Sequence, residues 1–199
     1  QYKIRFIGVE IISTFLWPRN VAKLLRLKVN ILTAMNNESL PKVLESQAKI
    51  RFQDCDPLAH LNNSKYIDYC INAREDQLIA NYDFDIHSLA RTTGKTWVVG
   101  QTQIRYVRPA LLMETVTIQS RMVHFEERSI TVEIQMLNQA KTQLKSLMWC
   151  HFVHFDIKSG KSAIHDAELT QRFGQIHFPI EQKTFEERVF AVTKEFSKI

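Results

Sequence analysis

Residues 54–82 read DCDPLAHLNNSKYIDYCINAREDQLIANY, and the stretch changes character at Asn62 and Asn63. Before that point Asp, Pro, His and Asn make a loop with turn formers throughout. From Ser64 to Tyr82, Ile67, Cys70, Ile71, Leu78 and Ile79 recur at three- and four-residue spacing, which predicts one long helix. Asn62 or Asn63 is its N-cap. Upstream, Gln47–Phe52 reads as a short strand. Downstream the pattern switches to alternation, and Thr96–Arg108, Thr115–His124, Ser129–Leu137 and Gln143–Phe155 each read as strands. The last is apolar on both faces, as a central strand covered on both sides would be. His124–Arg128 and Asn138–Thr142 are short enough for hairpin turns, and Asp156–Gly160 ends the sheet. A second helical pattern falls at Phe185–Phe196. One long helix followed by antiparallel strands is an α+β plan, with the helix across one sheet face. The opposite face is then left to a partner subunit, a ligand or the N-terminal appendage.

The 199 residues are 45% apolar and 24% charged, with five Gly and five Pro. That suits one folded domain with an appendage and excludes collagen-like and low-complexity classes. No run nears the ~20 apolar residues of a membrane span. Three cysteines, Cys55, Cys70 and Cys150, cannot close a set of disulfides and form no CxxC pair. A reducing compartment, hence a cytoplasmic protein, is the expectation. His151 and His154 are three apart on a strand and point to opposite faces, so no metal site is expected.

The net charge is +5, and all of it sits in the first thirty residues, where Lys3, Arg5, Arg19, Lys23, Arg26 and Lys28 face only Glu10. The rest of the chain balances to zero, with no basic surface interleaved with aromatics, so nucleic-acid binding is not expected. From Arg19, Val21, Leu24, Leu25, Ile31, Leu32 and Met35 recur at helical spacing, with Arg19, Lys23, Arg26 and Asn30 opposite. The expectation is a basic amphipathic helical appendage over residues 1–40, followed by a domain over 41–199. Asn36–Pro41 (NNESLP) forms the linker. Such a helix suits contact with an anionic membrane surface through residues 1–35, or packing on the domain or a second subunit. The first residue is Gln rather than Met, which leaves room for residues upstream, including part of a longer anchor or signal.

The loop Asp54–Asn63 is the densest polar stretch and runs into a helix N-terminus. That end presents unpaired N–H groups and the positive end of the helix dipole, which suit a developing oxyanion. A nearby carboxylate could activate water or attack a carbonyl. An Asp, a His and a helix start within ten residues suit carbonyl hydrolysis, though Asp-rich capping loops are also common structural devices. Cys55 has no histidine at nucleophile spacing and reads as a small packed residue. Asp54 reads as a brace for the loop.

Two longer patterns carry a resemblance. Arg51-Phe52-Gln53-Asp54-Cys55-Asp56-Pro57 is followed by His60-Leu61-Asn62-Asn63-Ser64-Lys65-Tyr66, then by Tyr69 and Ala73-Arg74. With Tyr106-Val107-Arg108-Pro109-Ala110, these resemble the hotdog-fold thioesterases, in the 4-hydroxybenzoyl-CoA thioesterase and acyl-CoA thioesterase branch. The likeness covers about residues 46–158 and leaves out 1–40. It implies a long central helix wrapped by a curved antiparallel sheet. It also implies hydrolysis of an acyl-CoA or acyl-carrier-protein thioester without metal or cofactor, at the interface of a homodimer or homotetramer.

By the same resemblance Asp56, the second aspartate of the DxD, is the general base or nucleophile. His60 orients Asp56, water or the loop, and Asn63 sits where some relatives carry a catalytic histidine. Asn62, Ser64, Lys65 and Tyr66 at the helix start are candidate substrate-binding positions, although Tyr66 and Tyr69 also suit packing. Arg105 and Arg108, with Lys158 and Lys161, are candidates for the phosphates of CoA. The chain departs from the family where Ile71 replaces a helix glutamate, and where Met113 rather than glycine precedes Glu114. The missing glutamate motivates one rival reading, a hotdog protein that binds acyl chains or a partner without hydrolysis; the N-terminal helix motivates another, a thioesterase brought by it to a membrane.

Overall fold

The structure is a computed structural model that describes residues 4–6, 9–11 and 40–197. The chain divides into two units, Gln1–Ser39 and Leu40–Ile199. In the first, β1 (Ile4–Phe6) and β2 (Val9–Ile11) pair antiparallel, Ile4 opposite Ile11. The amphipathic helix expected from Arg19 to Met35 lies outside the described residues.

The second unit runs β3 (Leu44–Lys49), α1 (Asn63–Tyr82), α2 (Ile86–Thr93), β4 (Lys95–Tyr106), β5 (Thr115–Phe125), β6 (Ser129–Asn138), β7 (Leu144–Asp156), β8 (Lys161–Ser162), α3 (Ala167–Ile176) and α4 (Phe185–Phe196). The strands form one antiparallel sheet in the order β3-β5-β6-β7-β4, with β8 paired to the end of β7. Register shifts fall between Val99 and Gln101, Met122 and His124, and Met136 and Leu137. Such bulges add twist and curl the sheet.

On the inner face Val116, Ile118, Val132, Ile134, Met136, Met148 and Cys150 pack against Tyr66, Cys70 and Ala73 of α1. Each fully buried Ile or Met stabilises the fold by roughly 1.5–3 kcal/mol relative to exposure. α1 begins where Asn62 Oδ1 accepts the Ser64 N–H at 3.1 Å. It ends at Asp83, whose left-handed backbone (φ 49) lets its N–H reach back to Ile79 O. The first strand lies three residues earlier than Gln47–Phe52, because the chain leaves the sheet at Ile50 and winds a 3-10 turn at Phe52–Asp54.

The outer face is not left open. α4 covers it, placing Phe185 and Val192 on Val123, Leu144, Leu147 and Trp149. Beneath α4, fully buried Glu133 accepts from Arg188 Nε at 2.7 Å and Nη2 at 3.0 Å, and from Trp149 Nε1 at 3.0 Å. α3 closes one end of the unit, with Phe173 and Ile176 against Leu44, Tyr82 and Met122.

Candidate functional site

The loop before α1 is held from three sides. Asp56 N–H donates to His60 O at 2.8 Å, Asn62 N–H to Asp54 O at 2.9 Å, and Leu61 N–H to Ala110 O at 2.9 Å. Leu112 N–H donates to Ala59 O at 2.9 Å, which ties the loop to the 108–114 turn a second time. Ala59 completes the bend with a positive φ of 60°.

Asp56 is half-buried. Its Oδ1 accepts the N–H groups of Leu58 at 2.9 Å and His60 at 3.0 Å, while Oδ2 has no hydrogen-bond partner among the described residues. One oxygen therefore fixes the carboxyl group and the other is left for chemistry. The His60 ring is half-buried and makes no hydrogen bond among the described residues. Asp54 takes a different part: its Oδ2 accepts the Tyr69 hydroxyl at 2.9 Å, and Tyr69 in turn accepts the Arg51 N–H at 3.1 Å. It ties the loop to α1. The Cys55 thiol donates to Arg51 O at 3.3 Å. Burial, then the carboxylates of Asp54 and Asp56, push that thiol up, away from a thiolate.

The N–H groups at the start of α1 are fewer than the sequence suggested. Ser64 N–H is capped by Asn62 Oδ1, Lys65 N–H donates to Asn62 O at 2.8 Å, and Asn62 N–H is taken by Asp54 O. Asn63 N–H is left without a partner among the described residues. The Asn63 carbonyl accepts the Tyr106 hydroxyl at 2.8 Å, which anchors the first turn to β4.

Among the other expected substrate contacts, Asn62 and Ser64 are exposed and bonded to each other, Ser64 Oγ to Asn62 Oδ1 at 2.9 Å. Lys65 pairs with Asp68 at 3.0 Å on the helix surface. Tyr66 is 2% exposed, and its hydroxyl accepts the Ala110 N–H at 2.9 Å. It packs the core edge-on to Tyr106 and presents no surface to a substrate in this protomer. Arg105 and Arg108 are exposed, at the end of β4 and just beyond it.

Two positioning residues escaped the sequence reading. Lys145, 5% exposed, bonds Glu114 at 2.8 Å and Pro109 O at 3.0 Å. Glu114 Oε2 accepts the Leu111 N–H at 2.8 Å. This pair braces the turn that carries Ala110, and Ala110 holds both Leu61 and Tyr66. Glu114 and Lys145 lie far apart in sequence, so only the fold brings them together.

A curled antiparallel sheet around one long helix, with an acidic loop entering that helix, defines a thioester hydrolase of the hotdog fold. A family model described as the Thioesterase-like superfamily matches residues 50–173, more than half of the chain, and the chain belongs to that family. It is similar to the long-chain acyl-CoA thioesterase FadM of Escherichia coli K12, 26% identical over 136 residues, covering 67% of this chain and 98% of that one. It is also similar to Protein THEM6 of Danio rerio, 28% identical over 102 residues, covering 51% of this chain and 49% of that one. Among solved structures, the YbaW probable thioesterase from Escherichia coli superposes with a TM-score of 0.60 at 25% identity, over 68% of this chain and 99% of that one. A 1,4-dihydroxy-2-naphthoyl-CoA thioesterase from Synechocystis shares the fold, with a TM-score of 0.60 at 12% identity over 67% of this chain and 95% of that one.

Proposed function

We propose that this chain hydrolyses an acyl-CoA thioester to the free acid and CoA, with Asp56 as general base or nucleophile. The observation that carries the reading is the state of the Asp56 carboxyl group. Oδ1 is fixed by two backbone N–H groups and Oδ2 is unpaired among the described residues, in a loop that leads straight into α1. As a base, Asp56 takes a proton from water while the water oxygen attacks the thioester carbonyl carbon. The carbonyl oxygen gains charge and accepts from Asn63 N–H, aided by the helix dipole. Collapse breaks the carbon–sulfur bond, and the proton leaves with the thiol. His60 lies beside this path, and Arg105 and Arg108 suit the CoA phosphates.

The test is turnover on a panel of acyl-CoA and acyl-carrier-protein thioesters, read with a thiol reagent. Asp56→Asn keeps an oxygen for Leu58 and His60, so it is expected to fold with an unchanged Tm and to lose more than ~100-fold in kcat. A well-folded mutant with retained activity would overturn the assignment. Acyl binding with no turnover on any thioester would make the chain a non-catalytic acyl-binding protein.

The same reading includes a homodimer. Among the described residues β4 has β7 on one side only, and Val98, Val99 and Tyr106 along it are exposed, which favours symmetric pairing. Light scattering at twice the chain mass is the expected result. Among the described residues no helix is long and apolar enough to cross a membrane. The charge of residues 1–30 supports contact with an anionic bilayer, read as flotation of the full chain with anionic but not neutral liposomes.

A further inference from the structure

Arg74 is a buried cation without an acid. It is 6% exposed, and its Nη1 donates to Ser120 Oγ at 3.0 Å. The Ser120 hydroxyl donates to Gln77 Oε1, and Gln77 Nε2 is spent on Ser46 Oγ at 2.8 Å and Ile118 O at 3.0 Å. All of these partners are neutral, and no carboxylate pairs with Arg74 among the described residues. Burial pushes the guanidinium down to about 10, so it still carries its charge at neutral pH. An unpaired buried charge is among the most costly features a fold can hold. Nothing in this network needs the charge, because a neutral amide could donate to Ser120 as well.

What Arg74 faces is a cavity of about 180 Å³ between α1, α3 and the inner sheet. Leu78, Met122, Ile130, Phe152 and Phe173 supply apolar wall. Arg172 lines it too, with Nη2 donating to Tyr82 O at 2.7 Å and its guanidinium 5.5 Å from the Phe84 ring centre. The one carboxylate in the lining is Glu75. It follows Arg74 directly on the helix, so the two side chains do not face each other. Glu75 lies 3.7 Å from His87 instead. The cavity is therefore apolar with a net positive charge, and its most buried cation has no carboxylate partner among the described residues.

We propose that this cavity binds a medium-chain monocarboxylate, the tail against Leu78, Met122 and Phe152 and the carboxylate on Arg74. Guanidinium and carboxylate match in charge and in planar two-pronged geometry. The size fits: a cavity of ~150 Å³ holds benzene, so this one takes roughly six to eight non-hydrogen atoms, as in hexanoate, with a longer tail reaching the mouth. The site is separate from the Asp56 loop. Arg74 lies eleven residues beyond Asn63 on α1, about 16 Å along the axis. Binding of a free acid there requires no hydrolysis, so the proposal goes beyond the thioesterase reading.

The experiment is calorimetric titration of the full chain with octanoate, octan-1-ol and octylammonium. Octanoate is expected to bind at least about tenfold tighter than octan-1-ol, with octylammonium weakest. Arg74→Gln is expected to weaken octanoate about tenfold or more and to leave octan-1-ol within about twofold. Leu78→Trp fills the cavity, keeps Arg74, and is expected to remove both ligands; with the ligand series it carries the test if Arg74→Gln does not fold. Equal affinity for acid and alcohol, octanoate binding that survives Leu78→Trp, or no octanoate binding overturns the proposal. A chain that hydrolyses no thioester but binds octanoate through Arg74 leaves it standing. Intact hydrolysis without octanoate binding removes it alone.

Discussion

Met113 stands at φ 64°, a backbone that costs an L residue about 1–2 kcal/mol. Its side chain is 57% exposed and contributes little packing in return. Its N–H is needed, because it donates to Ile50 O at 3.1 Å beside the loop that carries Asp56. Glycine keeps the N–H and reaches this φ freely, at some cost in unfolded-chain entropy. Met113→Gly is expected to stabilise the fold by roughly 0.5–1 kcal/mol, seen as a Tm rise of about 2 °C. A lower Tm would show that the Met113 side chain holds the turn. The position was legible, because the family pattern carries glycine there. Asp54 as a brace of the loop and Asn62 as the cap of α1 were legible too, since their chemistry is local to ten residues. The split between the aspartates was only partly so: that Asp54 serves Tyr69 while Asp56 keeps a free oxygen is visible only in three dimensions. That Asn63 N–H is the one donor left unpaired there among the described residues was hidden for the same reason. Which N–H groups are spent depends on a carbonyl of Asp54 and on the rotamer of Asn62.

The elements with long periodic signals were readable, and the short ones were not. β4 to β7, α1 and α4 lie within a few residues of where alternation and helical spacing put them. α2 and α3 were missed, although Asp85 and Gly94 bracket the first and Asp166 caps the second. Two or three turns give too few apolar repeats to stand out. α1 hid its buried side as well, because Arg74 and Gln77 are buried while Ile79 is half-exposed. α4 was seen but not placed. Its place is fixed by the clasp of Arg188 on Glu133, two charge-assisted bonds to a carboxylate with no solvent exposure. Arg121 lies 3.7 Å away and makes no hydrogen bond through Nε among the described residues, so it compensates only in part. Arg188→Leu strands a buried charge and is expected to destabilise by about 3 kcal/mol in urea unfolding. A loss below about 1 kcal/mol would mean that Arg121 alone can neutralise Glu133.

Across the whole unit, β4, β7 and α3 meet in a stack of Trp97, His154, His165 and Phe173. The Trp97 and His154 rings lie 4.7 Å apart, and His154 and His165 lie 4.8 Å apart. His165 Nε2 accepts from Trp97 Nε1 at 3.1 Å, so Nδ1 carries the proton and donates to Glu126 O at 2.9 Å. His154 Nδ1 is buried with no hydrogen-bond partner among the described residues. Both rings are therefore built in as neutral. Burial holds both below the ordinary histidine value of 6.5, with the neighbouring ring adding to this at His154. Half-buried His124 is held down likewise, first by burial and then by His177. The unfolded chain takes up these protons near pH 6.5 while the folded one resists, so below that point the unfolded state binds more protons. Stability is full above about pH 6.5 and falls as the pH drops toward 5. Glu45, Asp85, Glu133 and Asp156 are all held below their ordinary carboxylate values, so their loss of charge belongs to more acidic solution. The Tm is thus expected to be lower at about pH 5.3 than at about pH 7.5. His165→Gln, whose amide oxygen can still accept from Trp97, should flatten that slope. A Tm indifferent to pH over this range would mean that the stack accepts a proton without strain.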